Sequence, residues 1–193
     1  ERFGNTEVYG MHNMPNMPVG QFGLRSGPLM AAADRFTIEI EGRGAHAAQP
    51  HGSIDTVMIT SQLINALQSV VSRNVDPLES AVLSITFIRA GDAFNVLPQT
   101  ATLKGTVRTL NKYIQDLIER RMTEIINGIC AMHEAKSHFT YERGYPVTSN
   151  HDAQAQFAAK TASEVVGSDK VDTNLTPTMG AEDFSYMLEA RPG

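Results

Sequence analysis

Between Asp34 and Glu41 the side chains alternate, with Phe36, Ile38 and Ile40 on one face and Thr37, Glu39 and Glu41 on the other. A two-residue period of this kind predicts a half-buried strand. Gly42, Gly44 and Pro50 interrupt it, and the period then lengthens to that of a helix. Ser53 is the predicted N-cap, and Ile59, Leu63, Ile64, Leu67 and Val70 form the core face as far as about Val71. A turn at Asp76 and Pro77 leads to two β-rich runs, Ala81 to Arg89 and Ala101 to Thr109, separated by a loop with Gly91, Asn95 and Pro98. They are expected to pair antiparallel. A second helix is predicted from Asn111, with Ile114, Leu117, Ile118, Met122, Ile125, Ile126 and Ile129 at helical spacing and charges opposite. The last strand, His138 to Tyr145, points Phe139, Tyr141 and Tyr145 to one side and ends at Pro146.

The order strand, helix, strand, strand, helix, strand between Asp34 and Pro146 is that of an α+β split βαβ (βαββαβ, ferredoxin-like) domain, a four-stranded antiparallel sheet with two helices on one face. That fold hosts many unrelated activities, so function has to come from particular residues. The flanks read differently. Val8 to Ala33 is rich in Gly, Pro and Met, its apolar Val8-Tyr9-Gly10-Met11 is expected to be a buried strand, and Asp152 to Val166 and Gly180 to Leu188 read as separate helices. Three segments follow, 1–33, 34–146 and 147–193, the middle one an insertion into a larger domain. The chain opens without Met and stops at Arg191-Pro192-Gly193, and both ends read as cut.

Composition narrows the classes. A formal charge of −5 and the lack of any Lys/Arg block leave no basic field for a phosphate backbone, so a nucleic-acid partner is not expected. No apolar run approaches the roughly 20 residues of a membrane helix. Cys130 is the single cysteine, which excludes an internal disulfide and suggests a reducing, cytoplasmic setting.

Four segments could carry chemistry. In Tyr9-Gly10-Met11-His12-Asn13-Met14-Pro15 a histidine lies where an apolar run turns outward, either as a metal ligand or as a packing residue. Gly42-Arg43-Gly44-Ala45-His46-Ala47-Ala48-Gln49-Pro50-His51 is built of small residues, so His46 could reach a carbonyl oxygen that becomes negative during reaction, although turn chemistry alone would also explain the loop. Asn95 and Arg108 stand in and after a second loop. By alternation Arg108 shares the open sheet face with Thr102, Lys104 and Thr106, where it either clamps a carboxylate or is a solvated charge. Glu182 and Asp183 are read at the start of a short helix, where the helix dipole suffices to explain them.

Taken together and in order, YGMHNMP, GRGAHAAQPH, AFNVLPQTATLKGTVR and MGAEDFSYM resemble the hippurate hydrolase and auxin-conjugate hydrolase branch of the metallo-aminoacylase and carboxypeptidase family, over nearly the whole chain. The resemblance implies an α/β metallopeptidase-like catalytic domain holding two divalent metal ions, zinc, manganese or similar, with an inserted lid that mediates homodimerisation. It implies His12 as a metal ligand, His46 as the lid histidine that stabilises the oxyanion, and Asn95 and Arg108 as residues that hold an N-acyl amino acid. In the related dimeric enzymes such a histidine can reach into the neighbouring subunit's site. The family's HACGHD-type segment, its Glu-Glu pair and its C-terminal His ligand have no counterpart here, so this chain by itself is expected to be inactive. Two other readings stay open: a non-catalytic dimerisation module, and an RNA-binding sheet, which would be expected to show aromatics where Thr102, Lys104, Thr106 and Arg108 stand.

Overall fold

The computed structural model describes residues 4–193. In chain order its strands and helices are β1 (Phe22–Gly23), β2 (Gly27–Met30), β3 (Ala32–Glu41), β4 (Ala45–His46), α1 (Thr56–Asn74), β5 (Ala81–Ala90), β6 (Val96–Leu97), β7 (Thr100–Thr109), α2 (Lys112–Met132), β8 (Lys136–Tyr145), β9 (Thr148–Asn150), α3 (Asp152–Val166), β10 (Val171–Asp172) and α4 (Ser185–Ala190). They fall into two compact units, residues 34–144 and residues 4–33 with 145–193.

The 34–144 unit is an α+β fold around a four-stranded antiparallel sheet in the order β5-β7-β3-β8. Its core is the meeting of three apolar faces. Phe36, Ile38 and Ile40 of β3 and Leu103 and Val107 of β7 pack with Ile59, Leu63, Leu67 and Val70 of α1 and Ile114, Ile118, Met122 and Ile126 of α2. The alternation read in β3 is the observed burial alternation, and β5 and β7 pair antiparallel with Leu83 opposite Val107. Gly105 is required where β7 crosses this layer, because a Cβ there would lie 2.1 Å from Ser84 O and 2.4 Å from the Phe36 ring.

The cap of α1 differs from expectation. Pro50–Gly52 form a short 3₁₀ turn that Ser53 closes, its N–H and hydroxyl both donating to Pro50 O at 3.0 and 2.7 Å. With that hydroxyl engaged, the cap passes to Asp55, whose carboxylate accepts from Val57 N and Met58 N. The second helix starts where it was expected, at Lys112, and Asn111 is its N-cap, the side chain accepting from Ile114 N. Phe139 and Tyr141 of β8 pack on the core, whereas Tyr145, the last residue of β8, already belongs to the flanking unit and forms an edge-on pair with Tyr186 of that same unit, centroids 5.9 Å apart.

A buried carboxylate, unforeseen from the pattern, sits where the chain enters this unit. Asp34, 1% exposed, accepts from Gln115 Nε2, from Tyr141 OH at 2.7 Å and from Gly144 N at 3.2 Å, so the first and last residues of the unit meet at one side chain. Burial, then the bond to Asp34, pushes the Tyr141 phenol well above its usual range.

The flanking unit contains α3 at its expected bounds, two small pairs, β1 with β10 (parallel) and β2 with β9 (antiparallel), and many loop hydrogen bonds. Two expectations fail here. Val8 to Met11 is not a strand: the Val8 N–H bonds to Pro192 O at 2.9 Å, Tyr9 and Met11 are exposed, and no neighbouring strand among the described residues pairs with it. Gly180 to Leu188 is helical only from Ser185, because Thr178 N and Gly180 O are engaged in an extended contact with Leu29 O and Ala31 N. Among the described residues no helix is long and apolar enough to cross a membrane.

Candidate functional site

The groups singled out above lie at three places, one in the flanking unit and two in the 34–144 unit. In the flanking unit, His12 Nδ1 is 2.6 Å from Glu182 Oε2, with the two side chains 46% and 27% exposed. The backbone explains how residues so far apart in sequence meet. Ala31 N donates to Gly180 O at 2.8 Å, anchoring the acidic segment, and the Phe184 ring lies against Gly10, where a Cβ would come within 3.1 Å of it. Glu182 is in the turn before α4 and not within the helix; its carbonyl accepts from Ser185 Oγ at 2.7 Å, and no side chain caps α4. Hydrogen bonds from Asp183 and then His12 hold the Glu182 carboxyl below its usual range, and the contact with Glu182 raises that of Asp183.

This pair fits a divalent metal as a single ligand position. A histidine whose Nδ1 is taken by a carboxylate keeps Nε2 for an ion, and among the described residues Nε2 of His12 has no hydrogen-bond partner. Among the described residues no three or more His, Cys, Asp and Glu side chains gather to complete a site. The loop with His46 and His51 is no exception.

At the far end of the sheet, β4 and β6 form a narrow ribbon that prolongs the β3–β7 pairing. Gly42 N donates to Gln99 O at 2.8 Å, Ala45 pairs with Leu97, His46 with Val96, and Ala47 N donates to Asn95 O at 2.9 Å. The small residues are required by close approach: a Cβ on Gly42 would lie 2.3 Å from Ile54 O and one on Gly44 3.0 Å from Leu97 O. Arg43, which projects from the same loop, is occupied in holding it, with Nε donating to Gly52 O at 2.8 Å. His46 and Asn95 are thus brought together, both exposed, on a backbone fixed from several sides.

The His46 ring is oriented from below. The Ala48 N–H donates to Nδ1 at 3.1 Å. Because a backbone N–H can only donate, the neutral ring must carry its proton on Nε2, which makes Nε2–H an outward donor. No feature of the sequence pattern announced this; it follows from the turn at Ala47 and Ala48.

Arg108 is elsewhere. It lies on the sheet face opposite the helices, as alternation predicts, with Nη1 donating to Thr106 Oγ1, to Val107 O at 3.0 Å and to Asp34 O at 3.4 Å. One nitrogen is anchored, and Nε and Nη2 remain for a ligand. From Thr100 to Arg108 a strand rises roughly 26 Å at about 3.3 Å per residue. Asn95 and His46 lie beyond Thr100, so within one chain they and Arg108 cannot touch the same small molecule. On the same open face Lys104 covers the Phe87 ring, its Nζ 5.7 Å from the centroid, so an aromatic stands beside the Thr102, Lys104, Thr106 and Arg108 row.

Comparison with known proteins identifies the family of the chain. The chain is 41% identical over 191 residues to the N-acetyl-L-cysteine deacetylase of Bacillus subtilis (strain 168), covering 98% of this chain and 45% of that protein. It is 39% identical over 191 residues to the hippurate hydrolase of Campylobacter jejuni, covering 99% and 50%. In structure it superposes with a TM-score of 0.79 and 32% identity on the YXEP protein of Bacillus subtilis, described as a dinuclear metal binding peptidase from the M20 family, covering 99% of this chain and 47% of that one. The chain therefore spans about half the length of the relatives it matches. All residues from 1 to 193 match the description Peptidase family M20/M25/M40, and the chain belongs to that family.

Proposed function

We propose that the chain supplies a lid and one metal ligand to a metal-dependent amidohydrolase that cleaves N-acyl amino acids, hippurate among them, to a carboxylic acid and an amino acid. The enzyme would work as a homodimer through the 34–144 unit, with two divalent ions per site, and the ligands not found here would come from outside these 193 residues. The family, and relatives named for hippurate and acetylcysteine, support the reaction class.

The observation that carries the reading is the donor polarity of His46. Its Nε2–H can donate to a substrate carbonyl and gains strength as negative charge develops on that oxygen, which is the property a catalytic donor needs. Asn95, in the turn that leads into β6, offers a neutral amide to the same region. Arg108 offers Nε and Nη2, the paired geometry that fits a free carboxylate. His12 offers Nε2 to an ion. Divalent ions, when bound, supply Lewis acidity and a nucleophile at neutral pH.

The roughly 26 Å between Arg108 and the ribbon supports a division of labour between subunits. Arg108 serves one active site, and His46 with Asn95 serves the site of the neighbouring subunit. In the full-length enzyme His46→Ala should lower kcat for hippurate by about 10²–10³, the usual cost of losing one oxyanion donor, with metal content unchanged. Unchanged kcat would end the assignment; loss of metal together with rate would make His46 a ligand instead.

A further inference from the structure

The contact between His12 and Glu182 joins segments 170 positions apart, and its chemistry has a direction. An ionised carboxylate offers only lone pairs, so an approach of 2.6 Å to Nδ1 places a proton on Nδ1. In the neutral ring the lone pair is then on Nε2. An unconstrained neutral histidine favours the reverse arrangement, with the proton on Nε2, so the partner has to impose this one.

Glu182 is built to do so. Its Oε1 accepts from Asp183 N at 3.0 Å, its carbonyl accepts from Ser185 Oγ, and Gly180 two residues earlier is tied to Ala31. One carboxylate oxygen is therefore fixed by its own turn and the other is presented to His12. Oε1 is thus bonded to an N–H and Oε2 to the imidazole. Among the described residues His12 pairs with Glu182 and not with Asp183, the other acid of the pair.

We propose that Glu182 is a positioning residue which fixes His12 in its Nδ1–H tautomer and thereby makes Nε2 the metal-binding atom. The proposal rests on the reading of His12 as a ligand. It assigns a distinct role to an acid that helix-dipole arguments would have left as a cap.

The test is long-range ¹H–¹⁵N correlation of the histidine rings in the metal-free chain, at a pH of about 9, well above the ordinary histidine value of about 6.5. Among the signals of the six histidines, those of His12 are identified by their loss in His12→Gln. His12 should show a protonated Nδ1. Glu182→Ala should move the proton to Nε2, and Asp183→Asn should not. A wild-type His12 protonated on Nε2, or a Glu182→Ala spectrum with the tautomer unchanged, would overturn the proposal. The wild-type spectrum decides the matter even if Glu182→Ala does not fold. Added Zn²⁺ should then displace the wild-type Nε2 resonance while Nδ1 keeps its proton, and Glu182→Ala should raise the midpoint about 10–100-fold. Displacement of Nδ1 instead would contradict the proposal. If neither resonance moves at millimolar Zn²⁺, His12 is not a ligand and the metal-directing role falls, while a Nδ1–H tautomer seen before zinc would still establish the Glu182 contact.

Discussion

His12 and His46 sit in regions made in different ways. His46 rides on a ribbon that grows directly out of a periodic sheet, and the group beneath its Nδ1 is a backbone N–H from its own turn. His12 lies in an irregular segment, and the group at its Nδ1 is a carboxylate brought from the other end of the chain. A donor below Nδ1 turns the ring into an outward donor, whereas an acceptor at Nδ1 turns it into an outward lone pair. The same residue type thus acquires opposite outward polarity from neighbours that differ in hydrogen-bond direction. Local structure is enough to set the first, while the second depends on tertiary contacts among loops.

The same contrast holds for stability. The 34–144 unit is held by a continuous core, so Ile38→Ala, at 0% exposure, should cost about 2–5 kcal/mol in denaturant unfolding. The matching truncation in the irregular segment, Met11→Ala at 82% exposure, should stay within about 0.5 kcal/mol. Equal costs would break the comparison.

A smaller effect separates the two ends of the sheet. In the full-length enzyme Arg108→Ala should raise KM for acyl amino acids by the worth of a charged hydrogen bond, about 1.5–3 kcal/mol, and leave KM for the corresponding amides little changed. Equal effects on the two substrates would remove the carboxylate from Arg108. Smaller again is the cap of α1. Asp55→Ala should lose about 1 kcal/mol by thermal or denaturant melting, and Ser53→Ala less than about 0.5 kcal/mol, because the Asp55 carboxylate bonds two helix N–H groups and the Ser53 hydroxyl bonds only a turn carbonyl. The reverse order would restore Ser53 as the cap.

What could be read in the sequence follows the same line. Period and alternation located β3, α1, β5, β7, α2 and β8 and placed Phe36, Ile38, Ile40, Leu63 and Ile118 inward, since those positions answer to one local rule. Asp34 obeys the alternation too, but as a charged residue it was not recognised as buried; its partners Gln115, Tyr141 and Gly144 are 81, 107 and 110 positions away. The helix read from Gly180 shortened to Ser185 because Gly180 O is occupied by Ala31 N, a tertiary bond that propensity does not contain. Motif order brought out His12, His46, Asn95 and Arg108 as candidates. The acceptor or donor state of each imidazole, and the length of strand that separates Arg108 from Asn95, needed the fold.

That separation makes the most direct test of the proposed mechanism. If His46 acts in the neighbour's site and Arg108 in its own, a mixed dimer of a His46→Ala subunit and an Arg108→Ala subunit contains one site with both residues intact and one with neither. Each homodimeric variant should be impaired, and the purified mixed dimer of the full-length enzyme should recover about half the wild-type kcat/KM for hippurate, since RT ln 2 is small beside the roughly 2.7–4 kcal/mol lost with the donor. A mixed dimer no more active than the two variant homodimers would place both residues in a single site and contradict the account.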